Sequence, residues 1–445
     1  RATVEPRAAP ARRATTLIAP AGRSRAAGDR ATTEISTLPC GVQLVTERMV
    51  DVRSACVGFW VGTGSRDETD AQAGISHFLE HLLFKGSPTR SARSIAEAID
   101  AVGGDMNAFT TKEYTAFYVR LLGDDLDLAL DILSDIVWSP ALRTEEVDSE
   151  RQVILEEVLM HLDEPADFAQ ERFADALFPA HPLGREVLGD PEVIKTVTVD
   201  EIRLFLAEHY RPANVVVAAA GQVDHGRVAE GLERRFAGVA GGSSPRRTAP
   251  SDEVRALDVT VRDTEQAHLV LGVRAPARRH PSRFALTLLN HVLGGGISSR
   301  LFQKIREERG LAYSIVSERA GFADSGALVV SVGTSPDNAA KVADLVVAEL
   351  DAIAAKGITA DELERAKGHV AADLLLGLED SGNRMSRLGA GLLLYDEILS
   401  VDEHLARIGA VTLDAVAALA SEVLGGRRVL AVVGPPGVGD FASPS

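Results

Sequence analysis

Two stretches of this 445-residue sequence echo one another at an offset of 210 residues: SHFLEHLL, from Ser76, lines up with LTLLNHVL, from Leu286, so that His81 meets His291. Further on, a helix opened by Thr144, with Glu145 and Glu146 in its first turn, meets one opened by Thr359 with Glu362 at the capping-box position. A duplicated chain has two cores to bury, and the length suits two domains of roughly 200 residues each. The halves therefore read as two copies of one α+β unit.

The division between them falls in GVAGGSSPRRTAP, from Gly238, where periodicity is lost and Gly, Ser and Pro concentrate. This predicts a first domain over 33–238, a linker over 239–252, a second domain over 253–436 and a short tail over 437–445. Runs rich in β-formers from Gly41 to Thr46 and from Ala55 to Val61 predict strands, most simply a hairpin. The apolar runs Ala213 to Ala220 and Leu269 to Val273 predict buried strands. They fall well short of the roughly 18 to 20 residues a membrane span needs, so no membrane partner is expected.

Residues 1–32 form a separate block: the first 30 hold seven Arg against only Glu5 and Asp29, which predicts a disordered tail. An organelle transit peptide is the alternative, although Pro6, Pro10 and Pro20 interrupt any long amphipathic helix, and no secretory pattern is present. Cys40 and Cys56 are the only cysteines, which excludes a disulfide framework and a thiolate metal site of ordinary ligand count. A reducing, cytoplasmic compartment fits, with the Ala, Arg and Gly richness pointing to a bacterium and the mitochondrial matrix as a lesser alternative. The net charge of -17 excludes a general nucleic-acid binder, which needs clustered cations, and suits basic or unfolded peptides.

The copies differ where chemistry would sit. At the same offset His77 corresponds to Thr287 and Glu80 to Asn290, so only the first half keeps His77, Glu80 and His81 together. Ile75, Phe78, Leu79 and Leu82 recur at the spacing of one buried helical face, which leaves the H-x-x-E-H residues on another. Residues four apart on a helix stand one above the other, so both imidazoles can point at one ion, with Glu80 a turn from His77. That suits a zinc centre in which two His bind the metal and the Glu takes a proton from the metal's water. The bland reading is a surface helix with two ordinary histidines, but no Lys or Arg on the metal face would neutralise Glu80.

A third ligand is needed, commonly a carboxylate from another element. The helix from Glu145 to about His161 carries Glu150 and Glu157 two turns apart on one face, while Glu156 is rotated by about 100° toward solvent. Either glutamate could also be a plain solvated side chain.

With these motifs in place the sequence resembles the pitrilysin family of metallopeptidases, the inverzincins, and most closely its single-unit branch related to the mitochondrial processing peptidase. The likeness runs over residues 33–435 and rests on LPCGVQLVTE, VGFWVGTGSRDE, GISHFLEHLLFKGS, GGDMNAFTTKEYTAFY and SSRLFQKIREERGLAYSI in that order. It implies two duplicated domains, each a mainly antiparallel sheet packed with helices. It further implies that His77, His81 and Glu157 bind one Zn2+ per chain, with Glu80 as general base and Glu150 supporting the site. The choice of Glu157 follows the family's spacing of 76 residues from the second His.

The resemblance also assigns substrate contacts. Asn107 matches a polar contact on an edge strand to which the peptide adds as a further strand, a mode that reads extended shape. Arg306 and Tyr313, seven apart, match a pair that holds substrate and stabilises the tetrahedral intermediate. In this branch two chains enclose a chamber, which implies a homodimer, with a heterodimer as the alternative. Two features depart from the pattern: Cys40 stands where many relatives have Asn, and GGGISSR, from Gly294, is shorter than the glycine-rich loop of the processing peptidase's non-catalytic subunit. The expectation is a zinc endopeptidase acting on unfolded peptides. Its rivals are a non-catalytic, chaperone-like subunit and a processing peptidase subunit active only with a different partner chain.

Overall fold

The computed structural model describes residues 32–236, 241–439 and 441–444. The predicted N-terminal tail lies outside the described residues except for Thr32, which opens a strand; residues 239, 240, 440 and 445 of the predicted linker and C-terminal tail also lie outside them.

Among the described residues, eleven strands form two sheets. The first contains β1 (Thr32–Thr37), β2 (Gln43–Arg48), β3 (Ser54–Val61), β4 (Asp105–Thr110), β5 (Thr115–Leu122) and β6 (Val215–Gly221), in the order β1-β2-β6-β3-β5-β4. The second contains β7 (Leu257–Val261), β8 (Ala267–Ala275), β9 (Ala312–Gly321), β10 (Gly326–Thr334) and β11 (Arg428–Gly434), in the order β7-β11-β8-β10-β9. Without β1 the two orders are the same. In each, one parallel pair (β2 with β6, β7 with β11) accompanies otherwise antiparallel neighbours. The α+β class with two duplicated units is therefore what the chain adopts.

The predicted hairpin is not formed: β6 lies between β2 and β3, and β2 takes β1 as its antiparallel partner. Residues 49–53 can span up to about 17 Å, more than the roughly 10 Å between strands two places apart. They arc over the end of β6, where Met49 N–H donates to Gly221 O and Gln222 N–H to Ser54 O. Gly221 has φ +114°, and a Cβ there would stand 2.1 Å from Ser54 O. A second, smaller difference concerns Thr144, which is the first residue of the helix Thr144–Asp163 and not its cap, whereas Thr359 caps its helix as predicted.

One face of each sheet is covered by helices of its own half. The other face is covered by a helix from the opposite half. The helix Ser381–Ala390 packs Met385 and Leu388 on Cys56, Trp60, Val216 and Ala218 of the first sheet. The helix Pro165–Leu177 packs Ala169, Phe173 and Leu177 on Val270, Val429 and Ala431 of the second. A glycine in the central strand admits each visitor: a Cβ on Gly58 would lie 2.5 Å from Met385 Sδ, and one on Gly272 2.7 Å from Phe173 Cζ. The two sheets thus lie on either side of the predicted linker, while these two helices cross it. Among the described residues no helix is long and apolar enough to cross a membrane.

A buried ionic cluster joins the halves at the β4–β5 turn. Glu113, 1 % exposed, accepts from Arg66 and from Arg278 at 2.6 Å each, and from Ala323 N–H at 3.0 and 3.1 Å. Arg66 also reaches Asp324 at 2.6 Å, and Arg247 of the predicted linker grips Asp67 and the carbonyl of Glu113. Removing one member of such a cluster strands buried charge on the others. Glu113→Gln is therefore expected to lower stability by about 3–5 kcal/mol, read from urea unfolding; a change below about 1 kcal/mol would mean that water satisfies the arginines.

Candidate metal centre

The helix Ile75–Leu83 buries Ile75, Phe78, Leu79 and Leu82 in the first core, as the apolar spacing predicts. Its N-terminus is held from outside: Glu68 accepts the backbone N–H groups of Gly74 at 2.8 Å and Ser76 at 2.7 Å. Burial pushes the Glu68 carboxyl up to about 7, against the pull of those two bonds.

His77 and His81 leave this helix on one side, with ring centroids 4.6 Å apart. Glu157 comes from the helix Thr144–Asp163, its Oε2 lying 3.7 Å from His77 Nε2 and 3.5 Å from His81 Nε2. Among the described residues these three form the one group of potential ligands whose donor atoms lie within 4.8 Å of one another. A tetrahedral zinc with ligands about 2.1 Å away sets them roughly 3.4 Å apart, close to the spacing found. Glu157 Oε2 is buried and makes no hydrogen bond. Two imidazole nitrogens and a carboxylate oxygen that converge without bonding to each other are suited to a dication.

Protonation favours the same role. Burial lowers the His77 pKa to about 4, with the neighbouring His81 adding to the effect, so the ring is a neutral donor at physiological pH. His81 Nδ1 is 2.9 Å from Glu150 Oε1. With the ring proton on Nδ1 directed at that carboxylate, Nε2 keeps its lone pair for a metal. Burial opposes protonation of His81, but Glu150, Glu157 and Glu80 together raise its pKa. Glu150 is itself buried and anchored by Lys85 at 2.5 Å; these two partners outweigh burial and lower its pKa. Glu156 is exposed, as its rotation from Glu157 predicts.

Glu80 does not join the ligand group. Its Oε2 accepts from Thr110 Oγ1 at 2.6 Å, and burial raises its pKa while that bond and His81 act in the opposite sense. A carboxylate with raised proton affinity, fixed at one oxygen, is a proton acceptor in waiting. Thr110 is the residue that sequence reasoning missed. The available signal was strand alternation: Met106 and Ala108 pack on the core, so Thr110 shares their face.

The remaining expected contacts are placed differently. β4 is the free edge of its sheet, and Asn107 is exposed on it, with its Oδ1 accepting from Ala108 N–H at 2.8 Å. Alternation puts Asn107 on the face opposite to Thr110. Arg306 lies on a π-helical turn (Phe302–Glu307) and Tyr313 at the start of β9, the edge of the second sheet. The guanidinium is 5.7 Å from the Tyr313 ring and 4.7 Å from that of Phe302, and Tyr313 is 79 % exposed. Among the described residues, no hydrogen bond or ion pair of the histidines, Glu80, Glu150 or Glu157 reaches Arg306 or Tyr313.

Residues 43–191 match the family described as Insulinase (Peptidase family M16), and residues 196–369 match the domain described as Peptidase M16 inactive domain. The chain is 47% identical over 408 residues to a protein of Streptomyces coelicolor named an uncharacterized zinc protease, covering 90% of this chain and 89% of that one. Proteins of the same description in Mycobacterium tuberculosis and Bacillus subtilis are 46% and 37% identical, over 90% and 89% of this chain and 93% and 97% of theirs. A crystallised protease of Helicobacter pylori, 24% identical, shares the fold with a TM-score of 0.85 over 91% of this chain and 100% of that one.

The support given by Glu150 is measurable. Glu150→Ala, which frees the His81 ring, is expected to weaken zinc binding about 10–100-fold in competition with a chromophoric chelator, with the fold retained by circular dichroism. Unchanged affinity would show that Glu150 serves only Lys85.

Proposed function

This chain belongs to the insulinase family of peptidases, family M16, and from that premise we propose that it is a zinc-dependent endopeptidase hydrolysing unfolded peptides. The observation that carries the reading is the convergence of His77, His81 and Glu157 on one point beside a half-buried glutamate, Glu80, that is not part of the group. Those three residues would hold one zinc ion per chain, which when bound supplies Lewis-acid polarisation of a carbonyl and acidifies water.

The work of the chain's own groups follows from their placement. Thr110 fixes one oxygen of Glu80, leaving the other to take a proton from the attacking water and hand it to the departing amine. Glu150 holds His81 by its Nδ1 side, which keeps the ring oriented during turnover. An extended peptide adds to the free edge of β4 by backbone hydrogen bonds, with Asn107 exposed on the same strand to meet it. Substrates selected in this way must be unfolded, because a folded chain has few free strands to offer.

Arg306 and Tyr313 complete the site in this reading as donors to the developing oxyanion, supplied by a second copy of the chain across an enclosed chamber. Their mutual stacking and the exposure of Tyr313 suit a pair that waits for another surface. The single-unit, processing-peptidase-like branch belongs to the same proposal. A bacterial cytoplasm suits it as well, since Cys40 and Cys56 are free thiols, and burial raises the Cys56 pKa to about 12, which leaves it inert.

Glu80→Gln is expected to lower peptide hydrolysis by about 10²–10⁴-fold while zinc content stays at the parent level. A parent protein that cleaves no member of a peptide library with zinc supplied, and behaves as Glu80→Gln does, would remove the peptidase reading in favour of a non-catalytic subunit. The two-chain site has its own check. Glu80→Gln and Tyr313→Phe proteins, each inactive alone, should regain hydrolysis when refolded together, because one mixed site then holds both native residues. If no mixture regains activity and turnover instead requires a different chain, the homodimer is replaced by a heterodimer.

A further inference from the structure

The second half keeps the helix pair of the metal centre but furnishes it with different groups. The helix Arg283–Leu293 follows β8 as the motif helix follows β3, and it packs on the helix Ala360–Gly377 as the motif helix packs on Thr144–Asp163. Thr287, Asn290 and His291, which stand at the positions of His77, Glu80 and His81, all line one cavity of about 480 Å³. His369 and Asp373 face it from the second helix. That volume is ordinary for a small-ligand site.

The groups in this cavity do not form an ion cradle. The His291 and His369 rings stack nearly parallel, with centroids 4.2 Å apart and planes at 19°, so they do not converge on a point. Cationic side chains define the cavity instead: Arg283, Arg319 and Arg387 all line it, in a chain whose net charge is -17. Arg283 is engaged by Glu397 at 2.9 Å, and Arg387 lies 3.6 Å from Glu47. Arg319 differs from both: it is an exposed residue on the cavity wall, and among the described residues its guanidinium makes no hydrogen bond or ion pair. The positive field is registered by His404, whose pKa is lowered first by burial and then by Arg387, Arg283, Arg407 and Arg319. Phe284, Leu374 and Ile398 supply apolar wall between these charges.

We propose that this cavity is a second peptide-binding site, which takes a carboxylate of the peptide on Arg319 and an adjoining apolar side chain against Phe284, Leu374 and Ile398. A guanidinium presents paired N–H donors that match a carboxylate in two parallel bonds, and the unpaired one of Arg319 has both donors free for such a partner. Asp373, also on the cavity wall, offers an acceptor to a peptide N–H, which an inorganic anion could not use. The site stands apart from the hydrolytic reading: it needs neither zinc nor Glu80.

Calorimetric titration of the full Glu80→Gln chain, which leaves the probes uncut, tests the assignment with three N-acetylated hexapeptides of leucine and alanine. One has a free C-terminal carboxylate, one is amidated, and one is amidated but carries a single glutamate. The free-carboxylate peptide is expected to bind about tenfold more tightly than its amide. Arg319→Met should abolish that difference, and Arg319→Lys should keep part of it. Tight binding by the glutamate peptide alone would identify an acidic side chain as the source, and by the first peptide alone the chain terminus. A second measurement needs no Arg319 variant: in the same Glu80→Gln chain, hydrogen exchange of residues 283–295 and 369–374 should slow on adding the free-carboxylate peptide. Equal affinity for all three peptides in parent and Arg319→Met, or slowed exchange confined to residues 75–85 and 105–110, would overturn the site while leaving the peptidase reading intact.

Discussion

Each half of the chain lacks one helix that the other half supplies. A sheet whose strands are apolar on both faces, as in β6 and β11 where every residue is buried, requires cover on both sides. The exchange of Pro165–Leu177 for Ser381–Ala390 provides it. It also reaches the candidate metal centre, because the helix that crosses to the second sheet starts directly after the helix carrying Glu157. Arg262, at the end of β7, donates to the Leu162 carbonyl and stacks its guanidinium 3.6 Å from the Phe168 ring. The second half thus grips the C-terminal end of the very helix whose Glu157 faces the two histidines. Shortening that helix or releasing its end would move Glu157 before it disturbed the two histidines.

The buried charges at the β4–β5 turn tie the same two halves to Glu80. Glu113 sits in the turn 111–114; Thr111 N–H donates to the Tyr114 carbonyl there, and Thr110, one residue upstream, holds Glu80. Glu113 in turn is held by Arg278 and by the Ala323 N–H of the second half. Burying several ions costs several kcal/mol each before their attraction offsets it, so such a cluster is a poor device for stability alone. It is a good device for geometry. An apolar contact in its place would tolerate sliding, whereas Glu113 fixes the turn against both halves, and so fixes the oxygen that Thr110 presents.

What could be read in the sequence follows from the range of the interactions involved. The pairing of His77 with His81 is legible because a helix brings residues four apart together whatever surrounds it. The choice between Glu150 and Glu157 was not legible in helix geometry, which puts both on one face, and came only from the spacing that the resemblance supplied; in the structure Glu157 faces both Nε2 atoms while Glu150 lies against Nδ1. The mistaken hairpin has the same origin. β2 and β3 are close in sequence, and the strand that separates them arrives about 160 residues later, a pairing that no local pattern encodes. The helix exchange was hidden because an apolar stripe on Pro165–Leu177 announces burial without naming the sheet that receives it. Thr110 was hidden by its likeness to Thr111.

Duplication supplied a helix pair twice, and the two copies carry opposite electrostatics. Around the histidines of the first copy stand Glu80, Glu150 and Glu157, with Lys85 engaged by Glu150, so the cleft favours a cation. The cavity that His291 of the second copy lines carries three arginines against Asp373 and Glu397, and one of the arginines has no partner among the described residues, so the equivalent cleft offers a place to an anion. The scaffold itself is neutral toward the sign of its ligand: what it provides is a pair of packed helices whose facing residues are held at constant spacing. Threonine in place of His77 and asparagine in place of Glu80 therefore change what the helix offers a ligand without touching its packing, since none of these side chains belongs to the apolar face that Phe78, Leu79 and Leu82 bury in the first half and Leu288, Leu289 and Leu293 bury in the second. The two faces of one helix answer to different demands, which is why the fold persists across both halves while the chemistry does not.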